Sequence, residues 1–358
     1  MSAERAAITS ILDDLRRVQF GVIDALRRSR GSMAAAWGLG PRESPYRVIA
    51  TGPYWRLRDY GGQSGSRCLL IIAAPIKRPY IWDLAPSASA IGHCLQLGFH
   101  VRLLEWLPAS YDTGNNGLDE YARAISDCIA TIADGSATKP FLIGHSLGGT
   151  IAAIYGALRS GSIRGLVLLG APLCFPPEAS GFRDALVSLV PQALPDTEPF
   201  PGSLLSYMSA LASPGTFVWE RLFDAALSAA DPHAMAIHAR IERWALDEVA
   251  LPGKLVRQIV DELYRENRLC RGVLEVDGAR LGPSTVSVPT LAVVNMADEV
   301  APLSSVEPFL SALPAENARI IRYSGEIGVC LQHLGILVGS KAHQQVWPQI
   351  ASWLESQN

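Results

Sequence analysis

Apolar residues recur at helical spacing through the N-terminal segment. Ile8, Ile11, Leu12, Leu15, Val18, Val22 and Leu26 would form one stripe on a helix running from about residue 3 to 29. Arg27, Arg28 and Arg30 suit its C-terminal end, where the helix dipole favours cations. Gly31-Ser32 is expected to break it. The stripe has two alternative destinations: packing on its own domain, or docking on a partner or a membrane surface.

Beyond about residue 46 the rhythm changes. Short apolar runs at Arg47–Thr51, Arg56–Tyr60, Cys68–Ala73, His100–Leu104, Pro140–Ile143 and Gly165–Leu169 have strand length. They alternate with amphipathic segments near Ser87–Leu97, Leu118–Ala133 and Leu147–Leu158. This alternation predicts a mostly parallel sheet covered by helices on both faces. From about 175 to 283 the pattern is helical, interrupted by Pro and Gly, and strand patterns resume at Thr290–Val294 and Ala318–Tyr323. A closing helix ends at Trp353-Leu354. The expected organisation is an N-terminal helical segment (1–45), an α/β core (46–175 and 284–358) and a helical insertion (176–283). Such an insertion would form a lid over the C-terminal edge of the sheet.

The 358 residues suffice for one large core with an inserted subdomain. A formal net charge of −3 argues against a nucleic-acid partner, which would call for a basic face. No stretch approaches ~18 consecutive apolar residues, so no transmembrane helix is expected. The charged N-terminus argues against a secretory signal. Six cysteines, Cys68, Cys94, Cys128, Cys174, Cys270 and Cys330, are scattered without a Cys-x-x-Cys pair. Four of them sit in apolar or helical runs and read as reduced packing residues. A cytoplasmic location follows as the expectation. No cofactor or metal is expected.

Chemistry first shows at Gly144-His145-Ser146-Leu147-Gly148-Gly149, between the apolar run Pro140–Ile143 and the helix-competent run from Thr150 to Tyr155. A serine raised on a sharp strand-to-helix turn needs small neighbours, which Gly144 and Gly148 supply. In this setting Ser146 is the expected nucleophile of an α/β-hydrolase fold; the competing interpretation is a turn without chemistry. His145, its neighbour in a tight turn, would point away and serve packing.

In that fold the acid and then the base follow the serine along the chain. Asp298 sits just past the run Thr290–Val294, where an orienting carboxylate belongs. Glu299 competes with it, and Asp298 is preferred because Val300-Ala301-Pro302 would anchor the loop behind it. The competing interpretation of Asp298 is an N-cap of the next helix. His333 lies in the loop after Ala318–Tyr323 and is the expected general base, within hydrogen-bond reach of both Ser146 and Asp298. His343 falls in or beside the following helix, and His93, His100, His233 and His238 have packing or surface roles. The oxyanion hole should use the backbone N–H of Leu147 and a donor after Cys68–Ala73. Pro75 has no N–H, so Ile76 is the choice. Lys77 is placed either to bind an anionic group of the substrate or to point into solvent.

Several stretches resemble one family, the polyhydroxyalkanoate synthases, particularly their shorter catalytic subunits. Arg78-Pro79-Tyr80-Ile81-Trp82-Asp83-Leu84 is similar to that family's Arg-Pro-Tyr-x-x-Asp segment, which makes Tyr80 a further substrate-binding candidate. Trp244, followed by Tyr264-Arg265-Glu266-Asn267, resembles its lid region. Gly272-Val273-Leu274-Glu275-Val276-Asp277-Gly278 resembles its short hairpin. His333-Leu334-Gly335, with Trp347-Pro348 and Trp353-Leu354, resembles its catalytic-histidine tail. The likeness covers roughly residues 65–358 and supports Asp298 and His333. There are departures: the family's nucleophile is a cysteine where this chain has Ser146, its usual Asn is Lys77 here, and the Asp-His-Ile wording near the acid is absent.

The resemblance implies an acyl group, 3-hydroxylated, arriving on CoA or a carrier protein. A cysteine thioester would stay as activated as that donor and could pass the group on reversibly. A serine ester lies lower, so loading is downhill and return to a thiol is uphill. Serine also depends more on its base than a partly ionised thiol does. The expected function is therefore hydrolysis of an acyl thioester or small ester, or single acyl transfer. The alternatives are a polyester synthase with a replaced nucleophile and a non-catalytic partner subunit. A homo-oligomer or a partner subunit would be held through the lid or the N-terminal helix.

Overall fold

The computed structural model describes residues 2–63, 66–133, 139–190 and 197–357, with side chains described from residue 18 onward and not at residue 315. Eight strands form the central sheet: β1 (Arg47–Thr51), β2 (Trp55–Gly61), β3 (Cys68–Ile72), β4 (His100–Trp106), β5 (Phe141–His145), β6 (Gly165–Leu169), β7 (Thr290–Asn295) and β8 (Ala318–Tyr323). Their spatial order is β1-β2-β4-β3-β5-β6-β7-β8. β2 is antiparallel to both β1 and β4, and every later pairing is parallel. β3, β5, β6 and β7 are buried at every position, as strands covered on both faces must be. β1 is the exposed edge.

All eight strands stand where the apolar runs predicted them, with end shifts of one or two residues. The largest are at β5, which ends at His145, and at β4, which continues through Glu105 and Trp106. Glu105 is fully buried yet accepts from Arg58 at 2.6 Å and Arg56 at 2.5 Å on the neighbouring strand, so its charge is answered within the sheet. Trp106 donates from Nε1 to Ala73 O at 2.7 Å.

Helices α1 (Ser2–Ala34), α2 (Ala90–Gln96), α3 (Leu118–Ala133) and α4 (Leu147–Arg159) precede the insertion. The chain between β6 and β7 carries α5 (Gly181–Leu189), α6 (Gly202–Ala212), α7 (Arg221–Ser228), α8 (Pro232–Ala245) and α9 (Gly253–Gln258), then the hairpin of Leu274–Val276 with Ala279–Leu281. Asp277 and Gly278 turn that hairpin with positive φ at both residues, which matches the strand twist. α10 (Glu307–Ser311), α11 (Gly335–Val338), α12 (Ser340–Gln345) and α13 (Trp347–Ser356) complete the fold. No helix among the described residues is long and apolar enough to cross a membrane.

Two expectations need correction. α1 does not stop at Gly31-Ser32. Gly31 is buried in the helix because a Cβ there would lie 2.9 Å from the Arg243 guanidinium, so the glycine permits a close approach and does not end the helix. Nor does the visible part of the apolar stripe pack: Val18, Val22 and Leu26 are 65%, 54% and 62% exposed. The packed face is a different one, which carries Phe20, against Tyr207, beside Asp24 and Arg27. Asp24 accepts from Ser203 N at 3.0 Å, and Arg27 reaches Glu248 at 2.7 Å and Ala245 O at 3.0 Å. The side chains of Ile8, Ile11, Leu12 and Leu15 lie outside the described residues. The cysteines also divide unexpectedly. Cys68, Cys94, Cys128 and Cys330 are buried free thiols, whereas Cys174 and Cys270, 96 positions apart, form a disulfide.

Candidate active site

Ser146 stands between the end of β5 and the start of α4 with φ 55° and ψ −133°, a conformation a non-glycine residue adopts only when its surroundings enforce it. Its N–H stays tied to the sheet at Leu169 O (3.0 Å), and its carbonyl accepts from Gly149 and Thr150 at 2.9 and 3.1 Å. The turn leaves no room for side chains at two flanking positions. A Cβ on Gly144 would sit 2.6 Å from the Gly148 backbone, and one on Gly148 would sit 2.3 Å from Ile72 O of β3. These contacts raise the Ser146 side chain above the C-terminal edge of the sheet.

Asp298 follows β7, and its carboxylate is used on both sides. Oδ1 accepts from Val300 N at 2.8 Å and Ala301 N at 3.2 Å, which anchors the loop behind it. Oδ2 is 2.7 Å from His333 Nδ1. Burial alone would raise this carboxyl, but His333 and the N–H groups of Ala301 and Val300 outweigh it and hold it below its ordinary value. An ionised carboxylate can only accept, so Nδ1 carries a proton, and in the neutral imidazole Nε2 is then the nitrogen with the lone pair. His333 Nε2 is buried and has no hydrogen-bond partner among the described residues, so Ser146 Oγ is not bonded to it in this structure. His333 and Ser146 line one pocket. Glu299 is turned away, accepting from Thr216 and, at 3.3 Å, from Ser213 of the insertion.

His145 points away from Ser146, as its place in the turn requires, but it is not idle packing. Its Nε2 lies 2.8 Å from His333 O, and the two rings are 4.6 Å apart. A carbonyl cannot donate, so His145 does. Burial, reinforced by His333, lowers its pKa to about 3 and keeps it neutral.

The comparisons with known proteins agree with this architecture. A family model described as "Serine aminopeptidase, S33" (Hydrolase_4) matches residues 110–236. The poly(3-hydroxyalkanoate) polymerase subunit of Haloferax mediterranei is 30% identical over 324 residues, covering 87% of this chain and 64% of that protein. The corresponding subunit of Allochromatium vinosum is 25% identical over 327 residues, covering 88% and 89%. The monoacylglycerol lipase of Paleococcus ferrophilus superposes with a TM-score of 0.51 at 18% identity, over 85% of this chain and 99% of that one. This chain has the α/β-hydrolase fold and is similar to polyhydroxyalkanoate polymerase subunits. It spans 64% and 60% of the lengths of the Haloferax and Haloarcula marismortui polymerase subunits it matches.

Among the described residues, the segment between β6 and β7 contributes one to the pocket wall. Trp244 lines it and donates from Nε1 to Arg78 O at 2.7 Å. Trp82, Ile81 and Leu334, none of which the sequence singled out, add apolar wall. Leu147 opens α4, and Ile76, expected to give the second oxyanion donor, is a residue of the pocket wall. Ala74 lines it too, and its nitrogen is nearer the elbow: a Cβ on Gly148 would be 2.9 Å away.

Two substrate-binding expectations are corrected. Lys77 borders the pocket, but its ammonium turns to the insertion, meeting Ala245 O at 2.7 Å and Glu248 at 3.4 Å. Burial lowers its pKa to about 8, against the opposing pull of Glu248. Tyr80 is not on the pocket wall; its hydroxyl donates to Asp247 at 2.7 Å. Both side chains fasten the loop after β3 to the insertion. One further cluster has ligand-type atoms: His238, Glu242 and Cys330 lie within 4.8 Å of one another. Arg221 already grips both carboxylate oxygens of Glu242, at 2.8 and 2.6 Å, and the Cys330 thiol donates to it, so this group is internally satisfied without an ion.

Proposed function

We propose that Ser146, His333 and Asp298 form a catalytic triad that builds an acyl-enzyme from an acyl thioester or ester. The observation that carries this is the 2.7 Å Asp298–His333 hydrogen bond, which leaves an unpartnered His333 Nε2 in the pocket that Ser146 also lines. Nε2 takes the Ser146 Oγ proton as Oγ attacks the acyl carbon. The resulting oxyanion is met by the N–H of Leu147 and by that of Ile76 or Ala74. His333 returns the proton to the departing thiol or alcohol, then deprotonates water or a hydroxyl acceptor that releases the acyl group. Hydrolysis or single transfer of 3-hydroxyacyl groups from CoA or a carrier protein is the preferred activity, because the serine ester makes loading downhill.

The relatives' names favour a second activity, polyester synthesis. Incubation with 3-hydroxybutyryl-CoA separates the two: free acid without oligomers supports the first, and growing oligoesters the second. A fluorophosphonate probe tests both. It should label the protein at Ser146 and fail on folded Ser146→Ala; absence of labelling in the folded native chain would sink both readings and leave a non-catalytic subunit.

A homo-oligomer or partner subunit would dock on α1 or the insertion. Exposed Val22 and Leu26 on α1 and Trp219, Leu222 and Phe223 on the insertion support that placement. Acyl-CoA substrates favour a cytoplasmic location, whereas the Cys174–Cys270 bond favours an oxidising one.

A further inference from the structure

His333 arrives on a loop, residues 324–332, with little regular structure and positive φ at Gly325, Gly328 and Cys330. Backbone N–H groups in such a loop need partners, and three find them on the insertion. Asp224 of α7 accepts from Gly328 N at 2.7 Å through one oxygen and from Cys330 N at 2.8 Å through the other. Glu220, one turn earlier, accepts from Gln332 N at 2.9 Å, at the residue preceding His333. Positions 220 and 224 are four apart and fall on one helical face. His238 of α8 backs the pair, with Nδ1 3.1 Å from Asp224, and both of these side chains are buried. On the core side, Asn295 at the end of β7 donates to Gln332 O at 2.7 Å. The residue before the base is thus held from the sheet by its carbonyl and from the insertion by its N–H.

We propose that Glu220 and Asp224 are positioning residues for His333, so that seating of the insertion and assembly of the triad are one event. This rests on the assignment of His333 as the base. A base displaced by about 1 Å from its nucleophile can lose about a hundredfold in rate, and these carboxylates set where the His333 backbone lies. Neither touches the reacting atoms. The chemistry of the contacts also separates the two carboxylates. A glutamine at 220 still offers Oε1 to the Gln332 N–H, whereas an alanine offers nothing.

The test measures the second-order rate of fluorophosphonate labelling of the full chain, beside amide hydrogen exchange at Gly328, Cys330 and Gln332. Asp224→Ala should label about tenfold to a hundredfold more slowly. Glu220→Ala should slow labelling by about tenfold and release the Gln332 amide, and Glu220→Gln should restore both. Equal labelling rates for Glu220→Ala and Glu220→Gln, in chains that melt cooperatively, would overturn the proposal. So would native-rate labelling in folded Asp224→Ala. Should Asp224→Ala fail to fold, the Glu220 pair decides alone. Should the native chain not label at all, the nucleophile assignment fails by itself, and unchanged protection of Gln332 in Glu220→Ala would still refute the grip.

Discussion

His145 donates a 2.8 Å hydrogen bond from its ring to the backbone carbonyl of His333, so the residue before the nucleophile holds the residue that activates it. Replacing it with alanine leaves that buried carbonyl unpaired and opens a cavity beside the imidazole. His145→Ala should slow acylation of Ser146 by about tenfold or more and lower the melting temperature, while His145→Asn, which can still donate, should lose less. Labelling rates and thermal melts of the two variants check this.

The same residue makes stability depend on pH. The folded pKa of His145 lies near 3, against an ordinary value of 6.5, because burial disfavours its charge. The unfolded chain therefore binds the extra proton first. Stability should be full above about pH 6.5 and fall as pH drops toward 3, with a slope of at most about 1.4 kcal/mol per unit from this group. Asp298, whose carboxyl is held low, adds to the loss below its ordinary value of 3.8. Urea unfolding across pH 4–7 should show the slope, and His145→Asn should flatten it.

Asp298→Asn should separate folding from catalysis. The amide oxygen can still accept from Val300 and Ala301, so the loop keeps its anchor. The amide nitrogen faces His333 Nδ1 as a donor, which imposes the wrong tautomer. Turnover should fall by about a thousandfold or more, with the melting temperature little changed. Steady-state thioester hydrolysis and calorimetry give the two numbers.

Cys174 and Cys270 are 96 positions apart, so their bond constrains a long stretch of the unfolded chain. Cys270→Ser should cost about 2–5 kcal/mol, and reductant should reproduce the loss in the native chain but not in the variant. Denaturant midpoints with and without dithiothreitol decide it.

Ser146→Cys should still accept an acyl group but hold it as a thioester, closer in energy to its donor. The fraction passed to an added alcohol should rise relative to the fraction hydrolysed. Product ratios by mass spectrometry measure the shift, and an unchanged ratio would remove the significance attached to serine here.

Features set by local spacing were legible in the sequence. The elbow was, because Gly144 and Gly148 are dictated by contacts within one turn and with the adjoining strand. Asp298 and His333 were placed by strand ends. Orientation that depends on distant chain was not. Lys77 looked free to meet a substrate until Glu248, 171 positions away, took its ammonium. The periodicity of α1 revealed a stripe but not which face would dock, since Asp24 and Arg27 find their partners on the insertion. Tyr264 and Asn267 were noticed only as a resemblance. Their purpose lies in space: Tyr264 stacks on Phe175 at 4.4 Å, and Asn267 accepts from Phe175 N at 2.8 Å.

Those contacts lie beside the Cys174–Cys270 bond, so the segment between them leaves and rejoins the core at one sealed point. One covalent bond thus closes the loop that carries both Trp244 of the pocket wall and the two carboxylates, Glu220 and Asp224, that meet the histidine loop.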